Sequence, residues 1–195
     1  MASAGTAAFL VVGVLLAFAA ILAFVTLGSV RLESRLGVLR DGLPPGRKGP
    51  SWEAKATSGR VHHTPRRTGW QLLVFCNHGI REFPDLPDAL RELELEAPDL
   101  EILILSHTDA ELTDAIAAAM GITVPVVAVD QALYDRYNVR ALPFVFVLDE
   151  AGIVRSMGLG STRNAFLHRW QMALASRGAG QGQRTQGIGP AESRA

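Results

Sequence analysis

The chain has 195 residues, enough for one domain with appendages, and 48% of them are apolar, which allows a real core. Its net charge is zero but unevenly spread: residues 31–70 carry nine basic and three acidic side chains, and residues 71–177 carry eight and fifteen. An acidic candidate domain argues against nucleic-acid binding, and a single cysteine, Cys76, excludes an internal disulfide without fixing the redox compartment.

Residues 1–30 contain no charged side chain. Their apolar core, 6–30, exceeds the roughly 20 residues that cross a bilayer as a helix. A cleaved signal peptide has a basic start and a shorter apolar stretch. The expectation is therefore an uncleaved transmembrane anchor over 1–30. The alternative, a buried helix of a soluble protein, finds no polar face to support it. The first basic residues, Arg31, Arg35, Arg40, Arg47 and Lys48, all follow the span. Alone, that flank places the C-terminal domain in the cytoplasm, and it also suits anionic lipid head groups.

Residues 31–69 read as a basic juxtamembrane linker. Leu32, Leu36 and Leu39 recur at helical spacing, and "DGLPPGRKGP" then breaks any helix. A short strand near 60–63 is the only strand suggested before Trp70.

The folded domain is expected over 70–177. "QLLVFC" is a continuous apolar run, as in a central strand buried on both faces. Residues 86–97 form a helix, 100–106 a second buried strand, and 109–121 a helix with Asp109 as N-cap and Gly121 as C-cap. "VPVVAVD" is a third strand and "QALYDRYNV" a short helix. "FVFVLDEAGIVRSMG" reads as a β-hairpin. A closing helix follows, with Ser161 or Thr162 as N-cap. Phe166 and Trp170 sit at helical spacing and read as core. Residues 178–195 are polar and glycine-rich, the composition of a disordered tail. The order β-α-β-α-β-α-β-β-α joins parallel crossovers to an antiparallel hairpin, which describes an α/β sheet flanked by helices.

Two passages resemble a known family. "DQALYDRYNVRALPFVFVLDEAGIV" is similar to the segment of thioredoxin-like proteins that carries a cis-proline before a hairpin. "LLVFCNHGIREFPDLPDAL" is similar to the strand and active-site helix of membrane-anchored thiol-disulfide reductases of the TlpA type. The anchor with "RLGVLRDGLPPG" is more narrowly similar to MauD-type methylamine-utilisation proteins. The resemblance implies a thioredoxin-like fold, a cis Leu142–Pro143 bond and an extracytoplasmic domain, the last against the reading of the basic flank. It further implies a link to maturation of a disulfide-containing enzyme such as a methylamine dehydrogenase. Aligned on "REFPDL", Asn77 and Ile80 occupy the two cysteine positions of the family's C-x-x-C, and Cys76 lies one residue upstream.

Thiol-disulfide exchange needs a second thiol to resolve the mixed disulfide. A two-cysteine cycle within this chain is thus excluded, although the resemblance keeps a helix N-terminus beside Cys76 that would stabilise a thiolate. Cys76 is then either a monothiol catalyst, for exchange or peroxidase-like chemistry, or a buried strand residue. His78 is either a base or proton shuttle or merely exposed. Asn77 also fits a plain helix cap. His62, His63 and His78 lack metal-site spacing, and neither metal nor cofactor is expected. Pro143 either starts a strand or, with Leu142, presents backbone to an extended partner peptide. Two functions remain: docking of a partner protein by a redox-inactive domain, and a monothiol redox enzyme.

Overall fold

The computed structural model describes residues 41–66 and 68–184, with side chains to Arg177. The expected membrane span lies outside the described residues, among which no helix is long and apolar enough to cross a membrane.

The described residues form seven strands and four α-helices: β1 (Trp52–Lys55), β2 (Val61–Thr64), β3 (Gln71–Phe75), α1 (Leu86–Glu96), β4 (Glu101–Ser106), α2 (Ala110–Ala119), β5 (Val126–Ala128), α3 (Gln131–Arg136), β6 (Phe144–Leu148), β7 (Val154–Leu159) and α4 (Arg163–Arg184). The central sheet has the order β5-β4-β3-β6-β7. β3 pairs parallel with β4 and antiparallel with β6. Every β3 residue is buried, because strands flank it on both sides and side chains cover both faces. From β3 onward the observed order is the one expected.

Side chains alternate between the faces. On one face Leu72, Val74, Ile102, Ile104, Val145 and Val147 meet α1, α2 and the Phe166–Trp170–Ala173 stripe of α4. On the other, Leu73, Phe75, Leu103, Leu105, Phe144, Phe146 and Leu148 lie under Leu133, Tyr134, Tyr137 and Val139. With three helices on the first face, the six-residue α3 alone is left for the second.

Residues 41–69 supply the missing cover, and here the linker expectation is corrected. Ala56, Leu43, Trp52 and Ala54 pack on the second face. The backbone is tied down at several points: Gly42 N–H donates to Asn138 O at 2.8 Å, Gly46 N–H to Val154 O at 2.8 Å, and Thr57 N–H to Val126 O at 2.9 Å. Gly42 has φ +86, and a Cβ there would lie 2.7 Å from the Phe144 ring, so only glycine fits the close approach. β1 and β2 form an antiparallel hairpin. Its buried positions on β2 are His62 and Thr64, both polar. Thr64 Oγ1 donates to Gln71 Oε1 at 3.1 Å, and His62 Nδ1 lies 2.9 Å from Glu101 Oε1. Hydrogen bonds to polar groups of β3 and β4 thus stand in for apolar contacts beneath β2, the short strand expected near 60–63.

Helix ends follow expectation. Asp109 accepts from Leu112 N–H at 2.9 Å, and Gly121, at φ +77, closes α2. Thr162, rather than Ser161, caps α4, its Oγ1 accepting from Ala165 N–H at 3.3 Å. α4 runs to Arg184, beyond the Arg177 boundary expected for the domain, so 178–184 are helical in backbone rather than tail.

Candidate functional site

The site lies where β3 ends. Cys76 N–H donates to Leu105 O at 3.0 Å, so the residue continues the strand. Its side chain is 1% exposed, within the same apolar cluster as Ile80, Leu86 and Ala110. Burial pushes the thiol up to about 11, because a thiolate there would lose its hydration; the nearby Glu82 charge adds to this, and the Asn77 backbone offsets part of it. Sγ has one weak partner, Asn77 O at 3.7 Å.

The helix expected to stabilise a thiolate is not there. Cys76 leads into a single 3-10 turn, His78–Glu82, and α1 begins only at Leu86. Pro84 disfavours the helical conformation for Phe83, which is non-helical at φ −115, ψ 76, and Pro87 lies in the first turn of α1. Asn77 caps the short turn, its Oδ1 accepting from Gly79 N–H at 3.0 Å. That bond takes one of the amides that would face an anion. Ile80, at the second cysteine position of the resemblance, is fully buried. The two degenerate positions therefore hold a cap and a core residue.

His78 is exposed, with Nδ1 3.5 Å from Thr108 Oγ1, at the limit of hydrogen bonding. His62 is at the other end of β4, on Glu101. The structure does not bring these two histidines together, and no metal-binding group of three or more ligand residues occurs among the described residues.

Leu142–Pro143 is cis, as the resemblance implies, and so is Thr64–Pro65, which the sequence reading did not flag. β3 pairs with β6 through Phe75 and Phe144. One residue further in that register, Pro143 lies opposite Cys76. Pro143 O accepts from Gly160 N–H at 3.0 Å. Pro143 itself is buried, whereas Leu142 is half-buried on the second face. The strand end and the cis-proline loop thus meet, but around an apolar plug rather than a reactive group.

Tyr134 is the residue that sequence reasoning missed. Its hydroxyl lies 2.6 Å from Leu105 O and 3.0 Å from Cys76 O, the two carbonyls at the ends of β4 and β3. Burial raises its pKa, so it stays a neutral donor. The His107 ring packs on it at 4.3 Å, and His107 Nδ1 is buried with no hydrogen-bond partner among the described residues. The only sequence signal was two tyrosines spaced three apart in a short helix.

No protein-family model matches the chain. It is 25% identical over 130 residues to the thioredoxin-like protein YneN of Bacillus subtilis, covering 62% of this chain and 74% of that one. Its structure is similar to a thiol:disulfide interchange protein DsbE from Chlorobium tepidum (TM-score 0.57, 21% identity, 69% of this chain and 98% of that one). It is also similar to the thioredoxin domain of a thiol-disulfide oxidoreductase from Bacteroides vulgatus (TM-score 0.54, 14% identity, 63% and 95%). The fold is thioredoxin-like. Within that fold the chain keeps the cis-proline loop and has one cysteine, so it lacks the pair that intramolecular dithiol exchange requires.

Proposed function

We propose that this chain is a membrane-anchored thioredoxin-like protein that has lost dithiol chemistry and docks a partner protein around Leu142 and Pro143. The observation that carries this reading is the burial of Cys76. The residue is 1% exposed and burial pushes its thiol up to about 11, while Asn77 and Ile80 hold no sulfur at the positions where the resemblance expects it. The cis-proline loop beside them keeps its form. An extended partner peptide would add its backbone there, as edge-pairing ligands do. Likeness to TlpA-type and MauD-type proteins supports an extracytoplasmic domain that assists maturation of a disulfide-containing enzyme. The rival monothiol reading needs an accessible thiolate, and the environment of Cys76 opposes both requirements.

The test is insulin reduction with dithiothreitol as electron source. The full-length chain gives no turnover above the dithiothreitol background, and Cys76→Ser gives the same trace. Turnover that disappears in the serine variant overturns the reading. A photocrosslinker at Leu142 captures a protein that one at exposed Glu94 does not; equal capture removes the docking site. A C-terminal alkaline phosphatase fusion is active in cells, and an inactive fusion reverses the topology.

A further inference from the structure

At the end of the sheet remote from Cys76, α1, α4 and the approaches to β3 and β4 enclose an open groove of about 630 Å³. Trp70 and Trp170 form its floor, packed edge to face with ring centres 5.7 Å apart. Leu174, 43% exposed, extends the apolar surface toward solvent. Trp70 is 6% exposed, and its Nε1–H is buried with no acceptor among the described residues.

The rim has one dominant sign. Glu96, Asp99 and Glu150 line it, against Arg177 alone as a cation among the lining residues. α1 ends at Glu96 with no basic residue in its last turn, so the negative end of its dipole is uncompensated there. Nearby Arg66 is already engaged, donating to the Asp99 carbonyl at 2.9 Å. The Arg177 guanidinium lies 5.6 Å from the Trp70 ring centre, which shows that the ring accepts a cation on its face.

We propose that this groove docks a basic peptide segment of a partner protein, an arginine or lysine flanked by apolar residues. Its cation sits among the three carboxylates, and its apolar neighbours cover Trp170 and Leu174. An inorganic cation offers no apolar surface, and an anionic lipid head group meets like charge. Arg177 is the chain's own competitor for the Trp70 face. The groove is separate from the Leu142–Pro143 surface and does not depend on the function proposed for it.

The indole N–H resonances of the full-length, nitrogen-15-labelled chain report on the groove directly. Acetyl-Leu-Arg-Leu-amide shifts the Trp70 signal saturably, and acetyl-Leu-Gln-Leu-amide binds about fivefold more weakly, the value of one exposed ion pair. The combined Glu96→Gln, Asp99→Asn and Glu150→Gln variant, altered only at the rim, binds both peptides alike. Arg177→Ala frees the ring face and binds the arginine peptide roughly two- to fivefold more tightly. An unmoved Trp70 signal, equal affinity for the two peptides in the unaltered chain, or weaker binding by Arg177→Ala overturns the proposal.

Discussion

Cys76 offers a quantitative test, because it is the chain's only cysteine and labelling therefore has no background. The perturbation is a thiol reagent such as dithionitrobenzoate, applied to the native and the denatured chain. Raising the thiol from 9.0 to about 11 lowers its thiolate fraction at neutral pH about hundredfold. A more basic thiolate is a better nucleophile, and a Brønsted slope near 0.4–0.5 returns roughly tenfold of that loss. Ionisation alone therefore slows the reaction only about tenfold. Access is the larger effect. With the residue 1% exposed, the sulfur reacts only after the strand end opens; an opening that costs about 3 kcal/mol slows the reaction roughly hundredfold, and because the opened thiol ionises as in the denatured chain the two factors do not multiply. The native chain is thus labelled about a hundredfold more slowly than the chain in guanidinium chloride, and its pH–rate profile keeps rising beyond pH 9. Native labelling within tenfold of the denatured rate, or a plateau near pH 8, would refute the reasoning and return Cys76 to the list of catalysts.

The same shift governs alkaline stability. The folded-state pKa of Cys76, about 11, lies above its ordinary 9.0, so folding favours the protonated thiol. This contribution is complete below pH 9 and is lost as the pH rises toward 11, by up to about 3 kcal/mol in urea denaturation. Tyr134 and Tyr137 are raised in the same sense and extend the decline to higher pH. Cys76→Ser flattens the part between pH 9 and 10, and an unchanged slope in that variant contradicts the assignment. A chain starting at residue 69 loses the strap over the second face and binds the dye ANS, whereas one starting at Asp41 unfolds cooperatively without dye binding. Equal behaviour of the two would show that residues 41–68 are dispensable linker.

The sheet from β3 onward was legible because its signals are local and apolar. "QLLVF", "EILILS" and "FVFVL" have too many large apolar residues in succession for any half-exposed element. Asp109 and Gly121 punctuate α2 through rules that operate within one turn. Of the β1–β2 hairpin only β2 was suggested, as a short strand near 60–63; its partner β1 and its seat on the sheet were not legible, because the buried side chains are histidine and threonine. Their burial is tolerable only opposite Gln71 and Glu101, which are seven to 39 positions away in the chain. Tyr134 was opaque for the same reason: its partners are carbonyls 29 and 58 residues distant.

The sequence by itself determined what chemistry is absent. One sulfur cannot both attack and resolve, whatever surrounds it, and that conclusion needed no coordinates. It could not determine whether the sulfur faces solvent or core, because a strand-end residue next to a loop is compatible with either. Tertiary packing decided that. The interruption at Pro84 postpones α1 to Leu86, and Ile80 and Leu86 join Cys76 in one buried cluster. The energy of hydrating a thiolate then works against ionisation, and the residue on display in the sequence is a core residue in the fold.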